Sequence, residues 1–362
     1  MPLTLLVTFG EMMRRRSHRP TRPAAVSDAR MGGGELAAKG KALVLTLGAE
    51  LKALDVPPEV PGGTSMAQVS AAAEVVMHGA TKLQMLLADG TDVPEEAADA
   101  MLQDFHGQIV AFLAYASSAL GSQGVTFDAC VRNAARLVSN SCANLVSVAT
   151  GHADAPTPEL VKPALAEVWA ACGALKKLPR DGRAAVSKAL LRSAAVVKDV
   201  ASELAEIGAG AGAGADAADD DDEATRRATR HEDDMTFSDD DFDENEMRVA
   251  KACGVFAQAS FGFLRALVSP IVRGTNVSDT ENEALENALR ECLAFQRAVE
   301  EVGAGAYPPQ DADALAADAR AAAARAQGMG QAVAQAGDAE AAAEATAAFE
   351  VAHETLVSAI EA

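Results

Sequence analysis

The chain reads as all-α: two antiparallel helical bundles joined by a disordered acidic linker. Three observations predict this. Aromatic residues make up only 4% of 362 residues while alanine dominates the apolar half, and alanine is the strongest helix former whereas β-branched and aromatic residues favour strands. Apolar positions recur every three or four residues over long stretches, the signature of one buried helical face. A single internal segment breaks the pattern with glycine, alanine and acid.

The elements follow in order. A first helix covers about residues 35–54 and stops at Asp55-Val56-Pro57-Pro58. Ser65, with Gln68 three residues on, makes a capping box for a second helix that runs to Asp89-Gly90. A third opens at Asp92-Val93-Pro94-Glu95, with Asp92 as the cap, and reaches Leu120-Gly121. The fourth, Thr126–Thr150, steps through Phe127, Val131, Val138, Cys142 and Leu145. Thr157 and Pro158 start the fifth, which carries Leu160, Leu165, Val168, Trp169, Cys172 and Leu175. Pro179 then disfavours helix at Leu178, and Asp181 caps a sixth helix with the face Val186, Leu190, Val197, Leu204 and Ile207. Pro179 and Asp181 thus form a corner between antiparallel helices. Trp169, the one tryptophan, reads as a core anchor, because large aromatics dominate core energetics.

From Asp216 to Glu246 there are 15 acids and three arginines. Such density buries too little apolar surface to offset ordering entropy, so the segment reads as disordered. Beyond it come a helix over about residues 245–273, one capped by Ser278 with Glu281, and two alanine-rich helices, 311–336 and 338–361. The expected organisation is an Arg-rich N-terminal extension at 1–30 outside the fold, a bundle at 31–207, the linker at 208–243 and a bundle at 244–362. The extension has two readings, an organelle transit peptide or an over-long reading frame with Met31 as the start.

Charge and motifs narrow the function. A formal net charge of −21 opposes sequence-independent nucleic-acid binding and acidic membrane surfaces, both of which need basic faces. No uninterrupted apolar run reaches the roughly 18 residues of a membrane span. Five dispersed cysteines without CxxC read as buried small hydrophobes in a reducing compartment. The glycines of 208–214 follow a helix rather than a strand, Lys41 is followed by Ala42 where a P-loop needs Ser or Thr, and Glu244 stands where a calcium loop needs glycine. No histidine lies in HExxH or within a helical turn of another His or Cys. The expectation is a protein without enzymatic activity, cofactor or metal.

Two features point instead to partners. Lys176, Lys177, Arg180, Arg183, Lys188 and Arg192 gather at the corner with Asp181 as the one opposing acid. They form a candidate docking patch for a partner or for the chain's own acidic segment. The run MTFSDDDFDENEM sets Phe237 and Phe242 among acids, a composition of segments that order on binding. Ser238 precedes Asp239, Asp240 and Asp241 and suits an acidophilic kinase; phosphate there adds about −1.5 to −2 charges.

Trp169-x-Ala171-Cys172, Pro179-Arg180-Asp181-x-x-Ala184-Ala185 and Val197-Lys198-Asp199, with Val131-Arg132-x-Ala134 before them and Tyr307-Pro308-Pro309 late in the chain, resemble the cyclin-D-binding protein family, also called the Grap- and cyclin-D-interacting proteins. The resemblance implies a two-bundle all-helical architecture like that of the vinculin and catenin class. It also implies binding to D-type cyclins and helix-loop-helix regulators, restraint of the cell cycle and transcription, and residence in nucleus and cytoplasm. The family has been described with leucine-zipper features. Here Leu285, Cys292 and Val299 give a single seam, and no basic DNA-reading helix exists. The alternative is a structural adaptor built from the same bundles.

Overall fold

The structure, a computed structural model, describes residues 33–56, 63–87, 94–151, 158–207, 242–274, 279–336 and 339–362. It contains α1 (Gly33–Ala53), α2 (Met66–Leu87), α3 (Glu95–Ser118), α4 (Val125–Ala149), α5 (Pro158–Leu175), α6 (Gly182–Ile207), α7 (Glu244–Arg273), α8 (Asp279–Gly305), α9 (Ala312–Gln335) and α10 (Ala339–Glu361). No strand occurs among the described residues. The fold is all-α, in two bundles.

Local chemistry starts these helices as the sequence suggests. The Ser65 amide donates to Gln68 Oε1 at 2.9 Å, one half of the capping box that opens α2. Asp311, not singled out as a cap by the sequence, accepts through Oδ1 from Ala314 N at 3.1 Å to start α9. One box escaped the sequence reading. Asp243 and Glu246 cap α7 reciprocally, with Glu246 N donating to Asp243 Oδ1 at 2.7 Å and Asp243 N to Glu246 Oε2 at 3.1 Å. Asp92, Thr157 and Ser278 lie outside the described residues, and α3 begins at Pro94 without a side-chain cap.

Each bundle is a ring of five helices. In the first, α1 touches α3 and α4, α2 touches α3 and α5, and α4 touches α5. In the second, α6 touches α7 and α8, and α9 and α10 complete the circuit between α8 and α7. Neighbours run antiparallel with one exception per ring, because an odd ring cannot alternate direction throughout. Lys39 meets Asp99, and further along both helices Glu50 meets His106, so α1 and α3 run parallel. Ser193 bonds Gln296 and Tyr307 bonds Glu203, so α6 and α8 do too.

The cores differ in chemistry. The first holds Val69, Val76, Leu83, Phe105, Phe112 and Leu145 among its buried side chains. The second centres on four phenylalanines: Phe349 lies 5.3 Å from Phe256 and Phe295 and 5.4 Å from Phe263, centroid to centroid. Every apolar position that the periodicity assigned to α7 (Val249, Phe256, Phe263, Leu267 and Ile271) is buried here. By length and composition α7 is also apolar enough to cross a membrane, but its apolar side faces this core.

The membership of α6 differs from the grouping by chain order. Val186, Leu190, Val197 and Leu204 belong to the second core, packed with α7 and α8. The sequence predicts that α6 has a buried face. It carries no sign of which bundle that face enters.

Four cysteines are buried and Cys130 is half-buried. Burial pushes the Cys253 thiol up to about 12 and those of Cys172 and Cys292 to about 11. Since the thiolate is the nucleophile, iodoacetamide at neutral pH is expected to label Cys130 alone in the native protein and all five after unfolding, read by intact mass. Native labelling of Cys253 would contradict this burial.

Candidate interaction surface

The corner's proline and cap sit as the sequence suggests, but it does not fold α6 antiparallel onto α5: the two helices enter different cores and do not form a packed pair. The corner's charges divide. Pro179 is buried, and Asp181 caps α6, its Oδ1 accepting from Ala184 N at 2.8 Å. Lys176 Nζ pairs with Glu74 Oε1 of α2 at 2.8 Å, and this contact holds the Glu74 carboxyl below its ordinary range. Arg183 turns inward: its guanidinium donates to the Ile271 carbonyl at 3.1 Å, and its Nε is buried without a partner. Cations near a helix C-terminus are favoured by its orphan carbonyls, so Arg183 ties α6 to the end of α7. Lys177, Arg180, Lys188 and Arg192 remain exposed, with no carboxylate in salt-bridge range among the described residues. Lys188 donates to the Lys177 carbonyl at 3.4 Å, linking the first turns of α6 to the corner.

Trp169 overturns an expectation. It is 47% exposed rather than a core anchor. The inward stripe of α5 runs Val161, Leu165, Val168, Cys172 and Leu175, all buried. Trp169 falls one residue, about 100° of helix, off that stripe. Its indole N–H donates to Thr81 Oγ1 of α2 at 3.3 Å. Trp169→Ala is therefore expected to cost about 1 kcal/mol, half of what a fully buried large side chain contributes. A urea melt showing a loss above about 3 kcal/mol, the range of buried aromatics, would restore the anchor reading.

Of the acidic candidates, Phe242 lies half-buried just before α7. Phe237, Ser238, Asp239, Asp240 and Asp241 fall outside the described residues.

The bundles meet through a polar joint that the sequence reading missed. Helix α4 begins at Gly124, φ 98°, which offers no capping side chain. Its cap comes from the other bundle: Glu286 of α8 accepts from Thr126 N at 2.8 Å and from Thr126 Oγ1 at 2.6 Å. Beside it Gly182 N donates to Gln123 Oε1 at 3.4 Å, and a Cβ at Gly182 would sit 1.8 Å from the Gln123 carbonyl oxygen. Nothing local marks Glu286, 160 residues away from Thr126. Gly182→Ala should cost about 1–3 kcal/mol through overpacking. Gly173→Ala in α5, where a Cβ meets nothing within 4 Å, should gain about 0.5–1 kcal/mol. Equal stabilities in paired urea melts would refute the tightness of this joint.

Among the described residues, no three His, Cys, Asp or Glu side chains converge as a metal-binding set. The surface offers instead an exposed tryptophan, exposed cations and shallow grooves between helices.

These features define a class, the two-bundle all-α protein with a joint of hydrogen bonds and basic side chains at its corner. The N-terminal model of the Grap2 and cyclin-D-interacting family matches residues 68–210 and the C-terminal model matches residues 218–330. The chain belongs to the Grap2 and cyclin-D-interacting protein family. No curated protein matches it. The family's own division falls between α6 and α7, one helix beyond the division between the two cores.

Proposed function

We propose that this protein is a non-enzymatic regulator that binds a D-type cyclin and thereby restrains cell-cycle progression, acting in nucleus and cytoplasm, with helix-loop-helix regulators as further partners. The observation that carries the reading is the match of both family models, over residues 68–210 and 218–330. The exposed cations Lys177, Arg180, Lys188 and Arg192 supply a docking patch in an otherwise acidic chain. Phosphate on Ser238 would deepen the acidity of residues 239–241 and strengthen their pairing with arginine.

Calorimetry with a D-type cyclin from the same organism tests it. Two proteins are compared, residues 31–362 and the same chain with 208–241 replaced by a short Gly-Ser linker, which keeps the Asp243 cap of α7. Binding that needs 208–241 makes the acidic segment the recognition element. Binding that tightens without it means the segment competes for the patch. Absence of heat from both proteins rejects the cyclin reading.

A further inference from the structure

We infer that the outer α2–α5 face around Trp169 is a docking site for an acidic amphipathic helix of a partner protein. The site rests on three observations. First, Trp169 is the largest exposed apolar side chain, and Met85, one turn beyond its partner Thr81 on α2, is 66% exposed. Tryptophan is over-represented at the energetic centres of interfaces, where it contributes large area at little entropic cost.

Second, the small residues around it leave room. On α5, Ala166, Ala170 and Gly173 are exposed and share its outer side with Trp169. Gly173 lies within a helix, without positive φ, and a Cβ there meets nothing within 4 Å. Neither the backbone nor packing requires glycine, and its helix costs roughly 0.5–1 kcal/mol relative to alanine. What glycine leaves is a notch one turn from the indole, against which a ridge of another helix can close, as in helix-in-groove recognition.

Third, the charge around the notch is positive in a chain of net charge −21. Lys162 on α5 and Lys176, in the turn just past its end, lie seven residues before and after Trp169, Lys177 follows, and Lys82 adjoins Thr81 on α2. Lys176 is engaged by Glu74. Lys82, Lys162 and Lys177 are exposed with no carboxylate in range among the described residues. Of the two carboxylates of α5, Glu167 turns to Asn144 of α4 at 3.0 Å and Glu159 sits in the first turn, beyond Lys162. Aligned cations around an apolar centre select an acidic helix with a bulky apolar stripe and repel a basic one. The inference requires only that the partner is a protein; it does not depend on that partner being a cyclin.

Because Trp169 is the sole tryptophan, its fluorescence reports on this face alone. The probe is a designed helical peptide of roughly 15 residues, with leucine and phenylalanine at helical spacing and Asp and Glu elsewhere. A second peptide replaces every acid with lysine. The acidic peptide should shift Trp169 emission to the blue in a saturable, salt-weakened titration, and the lysine peptide should not. Gly173→Leu, which fills the notch while improving helix propensity, should weaken binding by about tenfold or more; so should Lys162→Glu with Lys177→Glu. Unchanged emission with the acidic peptide, an equal response to the lysine peptide, or binding indifferent to Gly173→Leu would each overturn the inference. A D-type cyclin titrated in the same assay separates this site from the proposed function. Cyclin heat with emission unmoved by the acidic peptide keeps the cyclin and removes this site; peptide binding without cyclin heat does the reverse.

Discussion

Residues 208–362, expressed without α6, are expected to lose the cooperative unfolding transition that residues 179–362 retain. The cause is the allegiance of α6. Its side chains Val186, Leu190, Val197 and Leu204 are buried in the second core between α7 and α8. Removing four large apolar side chains from that core forfeits about 8 kcal/mol at roughly 2 kcal/mol each. A typical domain has only ~5–15 kcal/mol in total. Guanidinium melts followed by circular dichroism give the readout. A broad, non-cooperative loss of helicity in 208–362 beside a sharp transition in 179–362 is the expected pair. A sharp transition in both would mean that α7–α10 close on themselves and that the second core tolerates four helices.

Phe349→Ala should be the most damaging single substitution in the second bundle. Phe349 is 1% exposed, and its ring meets those of Phe256, Phe263 and Phe295 at about 5 Å. Truncating a buried phenylalanine costs about 3–5 kcal/mol, and each lost aromatic pair adds roughly 0.5–1.5 kcal/mol. With three pairs lost, a loss of about 4.5–9.5 kcal/mol follows, enough to unfold the bundle near physiological temperature. Phe349→Leu keeps most of the volume and should cost less than half as much. A loss below about 2 kcal/mol for the alanine variant, well under the cavity range, would mean that α10 relaxes into the gap.

The sequence carried most of the helices and their inward faces. Alanine content and three-to-four spacing suffice for that, and caps such as Ser65/Gln68 and Asp181 mark the starts. Asp243/Glu246 carries the same signal but stands two residues after the run Asp239–Asp241, where the density of acids reads as coil. Trp169 was legible too. Strict stepping through Val161, Leu165, Val168, Cys172 and Leu175 leaves it off the stripe, but its bulk outweighed its phase. The destination of α6 was not legible, since a periodic face states how much surface needs burying and not against what. Nor was the joint: Glu286 caps α4 from 160 residues away, and Arg183 faces a carbonyl of α7. Both are tertiary matches between polar groups that look solvated in isolation. The corner's basic cluster was visible as composition, yet its division into engaged and free charges depended on Glu74 and Ile271.

The odd membership of the first ring has a directional consequence. Among the described side chains of α1, Leu47 alone is fully buried, with Leu54 following in the next turn. Its polar contacts with α3 are the ion pair of Lys39 with Asp99 and the hydrogen-bonded contact of Glu50 with His106. Take α1 away, and α3, α2, α5 and α4 alternate up and down without a mismatch, with α3 and α4 already in contact. The match to the family begins at residue 68, inside α2. In those terms the first bundle is a complete four-stave barrel, and α1 is a fifth stave leaned along its side, held by a narrow apolar edge and a few polar pegs.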